Sequence, residues 1–147
     1  MRVLIACGGT GGHINPGLAI ADIIKKKYPD AEFLFAGTPK GMESKLVPKA
    51  GYKLETIKVA GFQRKISLEN IGRNAKAVAY LMTSGRRAKQ IIEGFKPDIA
   101  IGTGGYAAGP VIRKAAKMGI PTAIHEQNAY PGVTNKLLSK EVDYVML

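Results

Sequence analysis

The stretch that most constrains the fold is a glycine-rich decapeptide, CGGTGGHINP, at residues 7–16. It follows a short apolar run, Val3–Ala6, that suits a buried strand, and it precedes Leu18–Lys27, which has helical periodicity. In such a turn, backbone N–H groups can point outward together, with the positive end of the helix dipole behind them. The sequence therefore predicts an anion site here, with Pro16 in the first helical turn. The alternative is a tight turn whose glycines only let strand and helix pack.

The glycine spacing argues against two common nucleotide-binding motifs. Ile14 stands where the G-x-G-x-x-G dinucleotide fingerprint needs its last glycine, and no Lys-Ser or Lys-Thr follows as in a P-loop. The next predicted strand, Glu32–Ala36, ends in Gly37-Thr38 and carries no acid at its end to hold a ribose. No Cys–His cluster or pair of carboxylates indicates a metal site. We therefore expect a phosphate-bearing ligand, and neither a cofactor nor a metal.

Predicted strands and helices alternate along the whole chain. The strand-like runs cover residues 3–6, 32–36, 54–59, 99–101, 122–125 and 142–147. The helix-like segments cover residues 16–28, 42–49, 67–95, 111–118 and 133–138. Because the strands are continuously apolar, the pattern predicts an α/β fold with a parallel sheet covered on both faces. Ligands of such sheets bind beyond the carboxyl ends of the strands, so the loops after the first, fourth and fifth strands form the candidate site.

Charge and cysteine content narrow the class of protein. A chain of 147 residues suits one domain, and its net charge of +11 favours nucleic acid, an anionic membrane or phosphorylated substrates. Nucleic acid is not expected, because no known motif is present and the 7% of aromatic residues form no stacking cluster. The lone cysteine, Cys7, is expected to be a small buried residue rather than a nucleophile. No apolar run approaches the length of a transmembrane helix.

Three motifs occur along the chain: GGTGGH at 8–13, GGYAAGP at 104–110 and HEQN at 125–128. PGLA follows the first at 16–19, and GVTNK follows the third at 132–136. Together they resemble the MurG family, bacterial transferases that add N-acetylglucosamine to the lipid-linked muramyl pentapeptide of peptidoglycan. The resemblance spans Met1–Leu147 and implies a Rossmann-like doubly wound parallel sheet, the amino-terminal half of a GT-B glycosyltransferase. It implies inverting transfer from UDP-N-acetylglucosamine to an undecaprenyl-diphosphate-linked muramyl pentapeptide, without a metal.

The family has two Rossmann-like domains, and the resemblance covers only the amino-terminal one, residues 1–147. In the family this domain binds the acceptor and faces the anionic cytoplasmic membrane surface, so we expect a peripheral protein on the cytoplasmic face of the bacterial cell membrane. The carboxy-terminal donor-binding domain is missing from this chain, which stops in a predicted buried strand, and the chain alone is expected to be inactive. The alternative is a non-catalytic nucleotide- or anion-binding module completed by another chain.

The resemblance also assigns roles to residues. It implies His13 and Glu126 as catalytic residues, with His13 as general base, since imidazole can exchange a proton near neutral pH. The donor would contact Thr10, Gly11, Gly12 and Asn128. The acceptor diphosphate would contact Gly9, His13, Gly104, Gly105, Tyr106 and Gly109. Simpler roles stay open: His13 could only donate a hydrogen bond to phosphate, Glu126 could only hold backbone N–H groups of its loop, and Tyr106 could simply pack.

A basic and apolar segment follows the third predicted strand. From residue 62 to residue 89, basic residues far outnumber the single acid, Glu69. Basic side chains beside apolar ones suit an anionic bilayer surface. The predicted membrane-contact residues are Phe62, Arg64, Lys65, Ile66 and Leu68. Val78 and Met82, on the apolar stripe of the helix that follows, are assigned to the core instead.

Overall fold

The structure, a computed structural model, describes residues 1–59 and 83–147. The predicted membrane-contact residues, Phe62, Arg64, Lys65, Ile66 and Leu68, lie outside the described residues. The first part of the helix predicted over 67–95 lies outside them as well, and residues 83–95 are helical. The membrane contact therefore stays a prediction.

The described residues form a parallel six-stranded sheet with helices on both faces. The strands are β1 (Arg2–Ala6), β2 (Glu32–Gly37), β3 (Lys53–Thr56), β4 (Ile99–Gly102), β5 (Thr122–His125) and β6 (Tyr144–Met146). The helices are α1 (Gly11–Lys27), α2 (Glu43–Lys49), α3 (83–95), α4 (Ala108–Lys117) and α5 (Val133–Leu138). The strand order is β3-β2-β1-β4-β5-β6, with all neighbours parallel. The predicted Rossmann-like doubly wound sheet is confirmed.

Each face of the sheet carries its own apolar core, because successive residues of β1 point to opposite sides. Val3 and Ile5 are buried against Ile14 of α1 on one face. Leu4 is buried in the other cluster, which includes Ile112 of α4. A strand that is apolar at every position is therefore what burial on both faces requires.

The strand order reverses between β1 and β4. From β1 the chain moves outward through β2 and β3, and it then returns to place β4 on the other side of β1. The loops that follow β1 and β4 consequently lead to helices on opposite faces of the sheet. A doubly wound sheet opens a crevice at such a point, beyond the carboxyl ends of the strands, and ligands bind there. The predicted location of the site agrees with this topology.

Helix α1 begins earlier than predicted. It starts at Gly11 rather than at Pro16, with Thr10 in an extended conformation before it (φ −131°, ψ 158°). The carbonyl of Thr10 accepts hydrogen bonds from the N–H groups of His13 and Ile14 and so opens the first turn. Pro16 lies inside the helix rather than in its predicted first turn, and it lacks the N–H that would bond to the Gly12 carbonyl. The second half of the glycine loop is thus helix, and His13 is a first-turn residue.

The sixth strand also differs from its prediction. It was expected to be buried, but among the described strands β6 pairs with β5 alone and forms an edge of the sheet. Tyr144 and Val145 are 66% and 46% exposed in this chain. Apolar composition alone does not distinguish an edge strand from a central one, because the difference is made by the neighbouring elements.

Candidate functional site

Thr103 joins the two loops that meet at the switch point. This fully buried residue follows β4, and its N–H donates to the carbonyl of Ala6 at 3.0 Å. Its hydroxyl donates to the carbonyl of His13 at 2.6 Å, and its own carbonyl lies 3.1 Å from His13 Nδ1. One threonine therefore holds both the backbone and the ring of His13 against β4.

Gly104 and Gly105 allow the second loop to pack against the first. Both have positive φ, +105° and +85°, a region that side chains disfavour. A Cβ on Gly104 would lie 2.5 Å from His13 Nδ1. A Cβ on Gly105 would overlap the carbonyl oxygen of Gly8 and lie 2.8 Å from its carbon. These two glycines are required for loop packing, whatever they also do for a ligand.

Glu43 is a buried carboxylate beneath the first loop, and it was not among the residues predicted from the sequence. Its Oε1 accepts hydrogen bonds from the N–H and the hydroxyl of Thr38 at 2.7 and 2.6 Å. Its Oε2 accepts one from the N–H of Gly9 at 3.0 Å. Burial raises the pKa of this carboxyl, but these hydrogen bonds outweigh burial and hold the pKa below its usual value.

The contact with Glu43 changes the expectation for Gly9. Because the Gly9 N–H already donates to Glu43, it is not among the unpaired N–H groups that were expected to face the acceptor diphosphate. The sequence signal that could have indicated Glu43 is a set of glycines that pack against its side chain in the fold. A Cβ at Gly8 would lie 2.6 Å from Glu43 Oε1, and one at Gly37 would lie 2.5 Å from its Cγ.

Cys7 lies at the base of the same loop and is fully buried. Burial, together with the negative charge of Glu43, raises the pKa of its thiol to about 12. The thiolate is the nucleophilic form of cysteine, so this thiol is unreactive at neutral pH. The structure agrees with the prediction that Cys7 is a small packing residue.

Two helices present their N-terminal ends at the switch point. Neither α1 nor α4 has a side-chain cap, and neither has an acidic residue in its first turn. The N–H groups of Gly11 and Gly12 donate no hydrogen bond to the described part of the chain. Unpaired N–H groups at the positive end of a helix dipole attract anions. Gly109 lies in the first turn of α4, and a Cβ there would lie 3.5 Å from Thr134 Cγ2.

Glu126 organises the loop after β5. Its Oε1 accepts hydrogen bonds from the N–H and side-chain amide of Asn128 at 3.0 and 2.8 Å. Its Oε2 accepts from the Gly132 N–H and the Asn135 side-chain amide, both at 3.0 Å. Burial raises the pKa of this carboxyl, but the four hydrogen bonds outweigh it and lower the pKa from 4.5 to about 2. This arrangement favours the simpler role foreseen for Glu126, and its catalytic role stays a prediction.

The remaining predicted residues lie at the same edge of the sheet. Thr10 and Asn128 are exposed, and Tyr106 is 62% exposed and so does not simply pack. His13 is partly exposed, and its Nδ1 lies 2.7 Å from the amide of Gln127, a residue the sequence analysis did not single out. No pattern in the sequence pairs residues 13 and 127, which the fold alone brings together.

The described ranges, 1–59 and 83–147, contain neither a candidate metal cluster nor a helix suited to span a membrane. No group of three or more His, Cys, Asp or Glu side chains in these ranges could hold a metal ion. No helix in them is both long enough and apolar enough to cross a membrane.

Known proteins resemble this chain over nearly its whole length. Residues 3–147 match the glycosyltransferase family 28 N-terminal domain. A protein of Ruminiclostridium cellulolyticum, named UDP-N-acetylglucosamine–N-acetylmuramyl-(pentapeptide) pyrophosphoryl-undecaprenol N-acetylglucosamine transferase, is 57% identical over 147 residues. A protein of Acetivibrio thermocellus with the same name is 54% identical. Both alignments cover 100% of this chain, and the chain spans 39% of the length of these relatives.

Solved structures show the same similarity in three dimensions. The crystal structure of Acinetobacter baumannii MurG is 32% identical, with a TM-score of 0.82, over 98% of this chain and 40% of that one. The Streptomyces glycosyltransferase SsfS6, at 19% identity and a TM-score of 0.64, shares the fold. Fold and site together define a Rossmann-like domain of the GT-B glycosyltransferase class. The chain belongs to glycosyltransferase family 28, as its N-terminal domain.

Proposed function

We propose that this chain is the acceptor-binding, membrane-facing domain of an enzyme of peptidoglycan synthesis. It binds an undecaprenyl-diphosphate-linked muramyl pentapeptide for inverting transfer of N-acetylglucosamine from UDP-N-acetylglucosamine, and a carboxy-terminal domain supplies most donor contacts. The names of its relatives support these substrates. A lipid-linked acceptor also accounts for the predicted basic and apolar segment that begins at Phe62, which suits a peripheral enzyme at the anionic cytoplasmic face of the membrane.

The observation that carries the proposal is that the N–H groups of Gly11 and Gly12 at the start of α1 have no hydrogen-bond partner among the described residues. Both glycines were predicted as donor contacts, and we assign their N–H groups to the acceptor diphosphate instead, because the Gly9 N–H expected there is bonded to Glu43. A phosphate seated there accepts two backbone hydrogen bonds and interacts with the positive end of a 17-residue helix. His13 follows directly in the same turn. One element thus supports both diphosphate binding and proton transfer.

The other predicted residues complete the site around this turn. His13 acts as general base toward the acceptor hydroxyl, and Asn128 contacts the donor sugar. Glu126 fixes Asn128 through its backbone and side chain, so it contributes to the reaction through the donor contact. Tyr106 is exposed beside the glycine pair Gly104-Gly105 and covers the bound diphosphate.

Binding is tested by titrating the chain with a short-chain, water-soluble analogue of the acceptor diphosphate lipid. Gly12→Val places a branched side chain at the helix N-terminus, where a Cβ would have only Thr10 Oγ1 nearby, at 3.6 Å. We expect the Kd to rise about tenfold or more, a loss of about 1.4 kcal/mol or more. Gly94→Val is the matched control, because Gly94 is also an exposed helical glycine with no neighbour within 4 Å of its Cβ position.

Two outcomes would contradict the proposal. If the parent and Gly12→Val bind the lipid analogue with equal Kd, the anion site does not lie at the start of α1. Tight binding of UDP-N-acetylglucosamine to this chain, with no binding of the lipid analogue, would mean that this domain binds the donor and not the acceptor. Circular dichroism of each variant establishes that the fold is intact.

The role of His13 is tested in a full-length enzyme that contains this domain. Loss of a general base lowers kcat by about 10²- to 10⁴-fold. We expect His13→Ala to cause a loss in this range while the KM for the acceptor changes little. A large rise in KM with a nearly unchanged kcat would show instead that His13 only donates a hydrogen bond to phosphate.

A further inference from the structure

The Nδ1 edge of the His13 ring is enclosed by three neighbours. The Thr103 carbonyl lies 3.1 Å from Nδ1, and the side-chain amide of Gln127 lies 2.7 Å from it. The backbone of Gly104 covers the same edge, since a Cβ there would lie 2.5 Å from Nδ1 and 2.8 Å from Cε1. Only Nε2, on the opposite side of the ring, is left for a ligand, and it makes no hydrogen bond to the described part of the chain.

The two polar neighbours of Nδ1 decide which nitrogen carries the proton of the neutral ring. A carbonyl oxygen can only accept, so the contact with the Thr103 carbonyl favours a hydrogen on Nδ1. An unprotonated Nδ1 would instead point its lone pair at that oxygen. The amide of Gln127 fits either state, because a half turn of the amide exchanges its oxygen and nitrogen.

The orientation of the Gln127 amide follows from the same accounting. With its nitrogen toward the ring, the amide oxygen Oε1 is buried and has no hydrogen-bond partner among the residues that the structure describes. Turning the amide brings that oxygen to the ring edge, where a protonated Nδ1 can donate to both it and the Thr103 carbonyl. With Nδ1 protonated toward the Thr103 carbonyl, an amide nitrogen at the ring edge would face that hydrogen donor against donor, so the amide presents its oxygen to the ring.

We propose that Gln127 is a positioning residue, which together with the Thr103 carbonyl holds His13 as the Nδ1–H tautomer with Nε2 unprotonated. The base role of that nitrogen rests on the proposed function. Nε2 takes the proton of the acceptor hydroxyl as the hydroxyl oxygen bonds to the anomeric carbon. The bond from that carbon to the diphosphate breaks, and UDP leaves with the electron pair. The imidazolium keeps its Nδ1–H on Thr103 and Gln127.

The opposite tautomer would give His13 the other role considered for it. With Nε2 protonated, the ring could donate a hydrogen bond to phosphate but could not accept the hydroxyl proton. The contacts that hold the Nδ1–H tautomer, from the Thr103 carbonyl and the Gln127 amide together, therefore select between the two roles. In the serine-protease triad, loss of the tautomer-fixing carboxylate costs about 10⁴-fold in kcat. Because the Thr103 carbonyl remains, we expect a smaller effect for Gln127.

The tautomer can be read directly from the ¹⁵N chemical shifts of a chain labelled with [¹⁵N]histidine, at a pH where the ring is neutral. The chain has only two histidines, so His125→Asn assigns the signals. We expect the parent to show a protonated Nδ1 and an unprotonated Nε2 on His13. A protonated Nε2 in the parent overturns the proposal, whether or not any substrate binds.

Two variants of Gln127 separate its hydrogen bond from its volume. In Gln127→Glu the carboxylate can only accept, so the Nδ1–H tautomer must persist. In Gln127→Met, which has a similar size but no amide, only the 3.1 Å bond to Thr103 is left, and we expect the Nε2–H form to become populated. Unchanged shifts in Gln127→Met overturn the role of Gln127. The signals of His125 serve as an internal control for the fold.

Kinetics of a full-length enzyme that contains this domain distinguish this proposal from the function it rests on. We expect Gln127→Met to lower kcat about ten- to a hundredfold with little change in KM, and Gln127→Glu to keep most of the activity. If His13→Ala leaves kcat unchanged while the NMR result holds, the base role is wrong and the tautomer assignment stands. If His13→Ala lowers kcat but Gln127→Met does not, the positioning role is wrong.

Discussion

At the scale of single residues, the site depends on two acids with different functions in the fold. Glu43 joins the first loop to the segment after β2, and Glu126 organises the loop after β5. Both carboxylates are buried, and both accept hydrogen bonds on each oxygen. A buried charge is tolerated only when it is satisfied in this way. Each therefore stabilises the position of its neighbours.

Glu43→Gln is expected to destabilise the chain by about 1–3 kcal/mol. The amide oxygen can replace Oε1 toward Thr38, but the amide nitrogen would then face the Gly9 N–H, donor against donor. Unfolding in urea measures the change. Glu93→Gln is the control, since Glu93 forms an exposed helical ion pair with Lys89 at 3.4 Å and such pairs contribute about 0.3–0.5 kcal/mol. Equal losses in the two variants would contradict the role of Glu43.

Glu126 gives stability a defined dependence on pH. Its pKa is lowered on folding from 4.5 to about 2, so its contribution is complete above about pH 4.5 and is lost as the pH falls toward 2. The two values correspond to roughly 3 kcal/mol at neutral pH. Glu126→Gln should lower stability at pH 7 and lose less between pH 5 and pH 2 than the parent, as measured by denaturant unfolding at each pH.

The comparison must be made against the parent because the pKa values of other carboxyl groups are also lowered by hydrogen bonds. Hydrogen bonds also lower the pKa of Glu43, despite burial, and hydrogen bonds from Thr122 lower that of Asp143. Glu43 and Asp143 contribute equally to the pH dependence of the parent and of Glu126→Gln, so their contributions cancel when the two unfolding free energies are subtracted. If the free energy of unfolding changes equally with pH in the parent and in Glu126→Gln, the four hydrogen bonds do not lower the pKa of Glu126 on folding.

At the scale of elements, the site is two loops packed against each other, and glycine makes this packing possible. Gly105→Ala and Gly51→Ala test the packing separately from backbone strain, since the two glycines have φ of +85° and +84°. A Cβ on Gly51 would have no neighbour within 4 Å among the described residues, whereas one on Gly105 would overlap the Gly8 carbonyl. We expect Gly51→Ala to cost about 1–2 kcal/mol and Gly105→Ala about 2 kcal/mol more, because backbone must move. Similar losses in urea unfolding would contradict the packing role.

At the scale of the whole molecule, we expect the position of the basic residues, and not the net charge of +11 alone, to determine binding to an anionic membrane. We predict that the chain binds vesicles containing phosphatidylglycerol and is released by salt. The double variant Arg64→Glu/Lys65→Glu should weaken binding about tenfold or more, at about 1 kcal/mol for each basic residue near the surface. Cosedimentation with vesicles measures it.

The control for this prediction changes the net charge equally but elsewhere. Lys26 in the last turn of α1 and Lys53 at the start of β3 are exposed at the amino edge of the sheet, away from the candidate site. Lys26→Glu/Lys53→Glu should leave vesicle binding nearly intact. Equal weakening by both double variants would mean that net charge alone drives binding, and the predicted membrane-contact segment would lose its support.

The sequence by itself determined the features that depend on local residue type. Continuous apolar runs predicted the parallel strands, because a strand buried on both faces needs an apolar residue at every position. Glycine between a strand and a helix predicted where the site would lie, because doubly wound sheets bind ligands at that edge. The bounds of β5 and α5 were also predicted from local pattern.

Only the tertiary structure decided the contacts between residues that are far apart in the chain. Gln127 and His13 are separated by 114 positions, and Glu43 and Gly9 by 34, so no local pattern records either hydrogen bond. The start of α1 and the exposure of β6 were mispredicted, because the first depends on the conformation of Thr10 and the second on which elements flank the strand. Residue type sets which segments can form, but the hydrogen bonds that align a catalytic site exist only once the sheet has brought its loops together.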